Sequence, residues 1–147
     1  MKEKTHYLVG AASSLLICTA MHLSLDTSIT ITVGAIMGSD LPDIDQYSKN
    51  FQHRKQTHSL WFPLVIFVLN YTIFKNISLY GVCIGVIMHI LMDLLNGKGC
   101  WLLYPYKMII SVADIKYNGR IEDYIRILSG LIIIIIIFNQ QFKFLSL

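Results

Sequence analysis

The chain has 147 residues, which suffice for one domain and fall short of two. Hydrophobic residues make up 54% of the chain and charged residues only 14%, whereas soluble domains carry about 25% charged residues. This shortage of charge argues against an ordinary soluble domain and predicts that lipid is the main solvent. The formal net charge of +3 is small and the basic residues form no compact run, so electrostatics do not indicate nucleic-acid binding.

Five apolar segments follow one another along the chain, and they cover residues 7–25, 29–37, 60–74, 79–95 and 127–138. A helix needs about 20 residues to cross a bilayer. The first and fourth segments meet this length, the third nearly does, and the second and fifth are shorter. We therefore predict an all-α fold, a polytopic membrane helix bundle of about four to five transmembrane helices. Residues 1–147 would form a single membrane-embedded domain, and whether the second segment crosses fully stays open.

The distribution of Lys and Arg predicts the orientation of such a bundle. If all five segments cross, the N-terminus and the loops 39–57 and 96–126 lie on one side of the membrane. Ten of the twelve Lys and Arg residues then lie on that side. Cytoplasmic loops carry an excess of Lys and Arg, so we expect these loops to face the cytoplasm.

Polar residues are concentrated in four short groups at the predicted cytoplasmic ends of the segments. The groups are Thr5-His6, the Asp-rich stretch 40–45, the His-rich stretch 53–59, and His89 with Asp93. Ionisable side chains within a membrane are costly, and they usually mark a functional site. Four groups that meet on one face therefore predict a single polar site.

The spacing within these groups is typical of a metal or ion site. His89 and Asp93 are four residues apart, so on a helix both project from the same face. Three Asp side chains within residues 40–45 repel one another when ionised, and a cation would hold them together. We also expect Thr57 to cap the third helix and to place His58 in its first turn. His is the commonest metal ligand and carboxylate its usual companion.

These motifs, in this order, resemble a known family. The sequence contains Thr5-His6, LPDID at 41–45, HRxxTHS at 53–59 and HxxxD at 89–93. This combination resembles the YdjM-like family of membrane-bound proteins, which are described as metal-dependent hydrolases and, in bacteria, as LexA-binding and inner-membrane-associated. The resemblance covers roughly residues 5–105, including the Trp101-x-x-Tyr104-Pro105 stretch.

The resemblance implies a multi-span helical protein with a divalent-metal hydrolase site. The family is distantly similar to zinc phospholipase C and P1-type nucleases, which implies phosphoester substrates. The metal ligands implied for this chain are His6, Asp43, Asp45, His53, His58, His89 and Asp93, with Asp40 as a further candidate. A degenerate Gly–Glu–Arg element near the C-terminus leaves open whether Glu122 belongs to the site.

We accordingly expect hydrolysis of a small or lipid phosphoester at the cytoplasmic face of the bacterial inner membrane, with one or two divalent ions. Zinc suits the His ligands best, while the carboxylates keep Mn and Mg open. Two ions would share Asp43 or Asp45 as a bridge, and an Asp without metal would act as general base. Arg54 would bind the substrate phosphate in a bidentate manner. Membrane lipids are the expected surroundings and partners.

Two other functions remain open at this point. Intramembrane His and Asp also build cation or proton pathways. A pathway needs polar groups along the depth of the bundle, and His22 is the sole candidate at the far end of the first segment. A non-catalytic membrane scaffold or regulator with a structural metal would carry the same ligands in a closed coordination shell.

Overall fold

The computed structural model describes residues 2–47, 56–106, 108–116 and 119–145, and the side chains of these residues apart from 45–47 and 141–145. Within these ranges the chain is all-helical, as predicted, with one isolated antiparallel bridge between Cys100 and Ile110. The five α-helices are α1 Glu3–Ala20, α2 Leu25–Gly38, α3 Trp61–Leu69, α4 Ile77–Leu94 and α5 Arg120–Leu145. A 3₁₀ segment, Leu41–Tyr47, follows α2, and a π turn, Asn70–Phe74, extends α3.

Tight turns join the helices into antiparallel pairs. Between α1 and α2, His22 adopts a left-handed backbone with φ 52°, and the Ser24 side chain accepts a hydrogen bond from the Thr27 N–H. Before α4, the Asn76 side chain accepts a hydrogen bond from the Ser78 N–H. Ser and Asn are favoured at these positions because their side chains satisfy backbone donors at the start of a helix.

The start of α3 differs from the sequence-based expectation. The helix begins at Trp61, with Leu60 at the N-cap and no side-chain hydrogen bond there. Thr57 lies in the preceding turn, so the prediction that it caps α3 is wrong. The Leu60 N–H donates to the Leu102 carbonyl at 3.0 Å, and this contact with the loop after α4 determines where the helix begins. His58 consequently belongs to a loop rather than to a helical turn.

Helix α4 lies at the centre of the bundle, where it packs against α1, α2 and α3, while α5 packs against α1. Its contact with α2 is unusually close because both helices carry small residues four apart. A Cβ atom at Gly85 would collide with the Ala35 carbonyl oxygen, so a larger residue would push the helices apart. Small residues that allow backbones to approach are typical of helix pairs in membranes. The glycines of this contact are Gly34, Gly38, Gly81 and Gly85.

The loop after α4 folds back over the C-terminal end of that helix. The Val112 N–H donates to the Leu94 carbonyl, and the Ile115 N–H donates to the Leu95 carbonyl. These bonds satisfy carbonyl groups that a helix end otherwise leaves without partners. Cys100 packs with the buried face of α4, so the loop and the helix share one apolar core.

One helix of the described ranges, α4, is long and apolar enough to cross a membrane, with a mean hydropathy of 1.9. The fourth predicted segment is therefore confirmed as a candidate span. The third appears as a shorter apolar helix, Trp61–Phe74. Helix α1 starts with Glu3 and Lys4, which lower its hydropathy, and α2 has only 14 residues. The polytopic arrangement stays a prediction.

Candidate metal centre

The last two turns of α4 carry the central pair of the site. His89 and Asp93 project from the same face, as their spacing predicts, and both are buried to about the same degree, with 1% and 2% exposure. The His89 Nε2 atom lies 3.9 Å from the Asp93 Oδ2 atom. A helix of the bundle core thus holds an imidazole and a carboxylate side by side.

Two further side chains approach this pair from other elements. His58 arrives from the loop before α3 and is fully buried, with its Nε2 atom 3.4 Å from Asp93 Oδ2. Asp43 arrives from the 3₁₀ segment, and its Oδ1 atom lies 3.7 Å from both His58 Nε2 and His89 Nε2. Asp43 and Asp93 therefore each lie within 4 Å of the same two imidazole nitrogens.

His6 completes the cluster from the first turn of α1. Its ring stacks on the His89 ring with centroids 4.0 Å apart and an interplanar angle of 17°. Its Nε2 atom lies 3.8 Å from Asp93 Oδ1. The two oxygens of Asp93 thus face different partners, Oδ1 toward His6 and Oδ2 toward His58 and His89.

The backbone of α2 orients the central imidazole. The His89 Nδ1 atom lies 2.6 Å from the Ser39 carbonyl oxygen. A carbonyl oxygen only accepts hydrogen bonds, so Nδ1 carries the proton and Nε2 carries the lone pair. Metal-binding His residues are usually oriented in this way by a second partner. The lone pair of His89 consequently points toward Asp43 and Asp93.

The donor set fits a divalent cation. The His89 Nε2 and His6 Nδ1 atoms are buried and have no hydrogen-bond partner among the described residues. A buried polar atom without a partner costs about 1–3 kcal/mol. Ligands about 2.0–2.2 Å from a tetrahedral ion lie roughly 3.3–3.6 Å from one another. The observed nitrogen–oxygen distances of 3.4–3.9 Å are close to this value and mostly too long for direct hydrogen bonds.

The structure brings together five of the residues that the sequence suggested as ligands. They form two overlapping groups with ligand atoms within 4.8 Å of one another, namely His6, His89 and Asp93, and Asp43, His58 and His89. Asp45 is described only by its backbone, so the prediction for its side chain lies outside the described part. His53 and Arg54 also lie outside the described residues.

Two polar residues that the sequence analysis considered lie apart from this cluster. Asp40 is exposed, and its carboxylate accepts a hydrogen bond from the Tyr7 hydroxyl at 2.9 Å. His22 is exposed in the turn at the opposite end of α1. Neither belongs to the two groups of ligand atoms.

Glu122, whose membership of the site the sequence left open, lies next to the start of α1. It is fully buried in the first turn of α5, and its Oε1 atom accepts hydrogen bonds from the Thr5 hydroxyl at 3.0 Å and from the Lys2 backbone N–H. These bonds join α5 to the start of α1, one residue before His6. Glu122 therefore anchors the element that carries one of the cluster residues.

The sequence analysis did not predict the contact between the Ser39 carbonyl and His89, because a backbone carbonyl is present in every residue. An indirect signal for this contact is the glycine spacing on the two helices. Gly34 and Gly38 on α2, and Gly81 and Gly85 on α4, have the four-residue spacing of closely packed helices. This spacing indicates that the end of α2 approaches α4 near His89.

Comparisons with known proteins agree with a membrane location. The chain matches the family model of the YdjM inner membrane protein over residues 1–144. It is 31% identical over 150 residues to a protein of Bacillus subtilis (strain 168) described as "Uncharacterized protein YvsG", with 89% of each chain covered. No solved structure matches the chain significantly. The chain therefore belongs to the YdjM family of inner membrane proteins.

Proposed function

We propose that this protein is a metal-dependent hydrolase that cleaves a phosphoester at the cytoplasmic face of the inner membrane. The observation that carries the proposal is the convergence of three His and two Asp side chains from four separate elements. Buried His and carboxylate groups with unpaired nitrogen atoms are expensive to keep, and such groups cluster at metal and catalytic sites. The resemblance to metal-dependent hydrolases supports the same reaction class.

In this proposal, His58, His89, Asp43 and Asp93 hold one divalent cation, and zinc suits this mixture of ligands best. Manganese and magnesium remain alternatives because two of the ligands are carboxylates. The ion would supply Lewis-acid activation of water and of a phosphoryl oxygen. The chain itself contributes the orientation of the ligands, through the Ser39 carbonyl on His89.

A second ion would be held by His6 and Asp93, and the two oxygens of Asp93 face different imidazoles. Asp43 offers one oxygen, Oδ1, to both His58 and His89. Asp43 or Asp45 stays the proposed shared ligand, an Asp without metal stays the proposed general base, and Arg54 stays the proposed phosphate ligand.

We also propose that the five helices cross the membrane with the site on the cytoplasmic side. The site lies where α1 and α5 begin and where α2 and α4 end, so it lies at one end of the bundle. This placement agrees with the positive charges that gather in the loops at this end. Exposed apolar side chains along α3 and α5 would face lipid.

A non-catalytic scaffold with a structural metal is the second candidate. The nearly complete burial of His58, His89 and Asp93 favours it, because structural metal sites have closed coordination shells. The Asp43 side chain, in contrast, is 23% exposed, so water can reach this one ligand. This exposure favours the hydrolase.

The experiment compares metal-loaded wild type with His58→Ala and with His22→Ala, an exposed His away from the cluster. Hydrolysis of bis-p-nitrophenyl phosphate and of a phospholipid is measured after metal loading. The hydrolase predicts hydrolysis of bis-p-nitrophenyl phosphate by the wild type and by His22→Ala, and loss of all phosphoester hydrolysis in His58→Ala. Bound metal without any phosphoester hydrolysis would contradict the hydrolase and support the scaffold.

A further inference from the structure

An apolar groove runs along α1 between α2 and α5. Its floor is α1, and its walls are α2 and α5, two helices that α1 separates. The volume is about 1310 Å³. Ala11, Leu15, Val33 and Ile133 are typical of its lining.

Polar groups of the groove lie mainly at its two ends. Tyr7 lies at the end near the candidate metal centre, and His22 and Gln140 lie at the opposite end. Three hydroxyl groups in between are engaged within the protein: Thr19 and Ser28 each donate to a carbonyl of the preceding turn, and Thr32 accepts from Ser14. A ligand in the middle of the groove therefore meets apolar surface.

The length and the apolar lining of the groove suit a hydrocarbon chain. From Tyr7 to Thr19, which both line it, the helical rise is about 18 Å, more than half of the ~30 Å hydrocarbon core of a bilayer. In an inner membrane protein, lipid chains are the apolar molecules that surround such a surface.

Tyr7 joins one end of the groove to the segment that carries Asp43. Tyr7 lines the groove, and its hydroxyl donates to the Asp40 carboxylate. The Asp43 N–H donates to the Asp40 carbonyl at 3.1 Å. A molecule that extends from the groove past Tyr7 would therefore reach the 3₁₀ segment that carries one carboxylate of the cluster.

We propose that this groove binds the hydrocarbon chain of a lipid phosphoester and presents its phosphate headgroup to the candidate metal centre. The inference rests on the proposed hydrolase function and names the class of its substrate. In this arrangement the hydrogen-bonded pair Tyr7 and Asp40 would lie between the bound chain and the headgroup. The protein thus acts on a substrate that stays in the bilayer.

The test uses phosphatidic acid with a photoactivatable diazirine in its acyl chain, added to the full-length protein in lipid nanodiscs. Val33→Trp fills the groove, and Val65→Trp is the matched control on α3. Both valines are about half exposed, at 50% and 52%, and only Val33 lines the groove. Cross-linked residues are mapped by mass spectrometry, with excess unlabelled phosphatidic acid as competitor.

We expect cross-links on the groove side of α1 and α2 that unlabelled lipid displaces, reduced about tenfold by Val33→Trp and unchanged by Val65→Trp. Ile29→Trp, also in the groove wall, serves as a second variant if Val33→Trp does not fold. Two results would overturn the proposal. One is cross-linking of the groove that is no stronger than cross-linking of α3, and the other is cross-linking that neither Val33→Trp nor Ile29→Trp reduces.

Bound metal is measured on the same samples, so the two proposals can fail separately. If the protein retains metal but is cross-linked uniformly, the groove proposal fails and the hydrolase proposal stands. Specific groove cross-linking in a protein that binds no metal removes the hydrolase, and with it the assignment of the groove lipid as a substrate.

Discussion

The Nδ1 atom of His89 lies 2.6 Å from the carbonyl oxygen of Ser39, at the point where the end of α2 meets α4. This single contact fixes the proton on Nδ1 and directs the Nε2 lone pair toward Asp43 and Asp93. The contact requires two helix backbones to approach closely, and Gly85 makes that approach possible. Helix packing and the chemistry of the site are therefore directly linked.

The first prediction concerns this close approach. Gly85→Ala places a methyl group against the Ala35 carbonyl, so α2 and α4 must separate. We expect a loss of about 1–3 kcal/mol in the free energy of unfolding and a metal affinity about 10–100-fold weaker. Thermal unfolding in detergent and a zinc titration measure the two effects.

The matched control is Gly130→Ala in α5, where an added Cβ meets nothing within 4 Å. Replacing Gly by Ala within a helix stabilises it by up to about 1 kcal/mol. We therefore expect Gly130→Ala to be neutral or slightly stabilising. Equal effects of the two substitutions would show that the α2–α4 contact has no special role.

The second prediction distinguishes two aspartates that the sequence suggested together. Asp93 contacts three imidazoles, whereas Asp40 accepts a hydrogen bond from Tyr7 and is exposed. We expect Asp93→Ala to abolish stoichiometric metal binding and Asp40→Ala to retain it. Elemental analysis of the purified variants measures the difference, and equal loss of metal in both would contradict the geometry.

The third prediction concerns the link between α5 and α1. Glu122→Leu removes the acceptor for Thr5 and Lys2, so His6 loses a fixed position. We expect the metal affinity to fall by about tenfold or more, as for other partners that orient ligands. Competition with a fluorescent zinc chelator measures the affinity.

Glu122→Gln is the conservative variant because it keeps an oxygen that accepts from Thr5. It should restore most of the affinity lost in Glu122→Leu. A Glu122→Gln variant as weak as Glu122→Leu would instead indicate that the negative charge of Glu122 is required at the site.

The fourth prediction concerns metal-dependent stability. A ligand that binds only the folded state at 100 times its Kd stabilises that state by about 2.7 kcal/mol. Added zinc should therefore raise the Tm of the wild type by roughly 5–11 °C, and a chelator should reverse the change. His58→Ala should show no such shift, and a similar shift in the variant would place the zinc elsewhere.

Much of the helical fold was predictable because hydropathy and spacing act locally. The pair His89 and Asp93 follows directly from the helical period, and its shared face was expected. Helix α5 was predicted as residues 127–138, yet it extends over Arg120–Leu145. Hydropathy detects only the apolar middle of such a helix, while the backbone continues through polar residues on either side.

Other features depend on tertiary contacts that local patterns do not encode. Thr57 is a favourable cap by residue type, but the contact of Leu60 with the Leu102 carbonyl places the start of α3 later. Asp40 and Asp43 are three residues apart, yet only Asp43 reaches the cluster, because Tyr7 engages Asp40. Such assignments require the neighbouring helices to be in position.

The most direct test of the central claim is the metal content of the purified protein in mild detergent. Wild type, the double variant Asp43→Ala/His58→Ala and the control His22→Ala are analysed by elemental mass spectrometry after zinc or manganese loading and removal of free ion. A divalent metal site at the cluster predicts one or two ions per chain in the wild type and in His22→Ala, and their loss in the double variant. A wild type that retains no ion after loading, or a double variant that retains as much as the wild type, would contradict it.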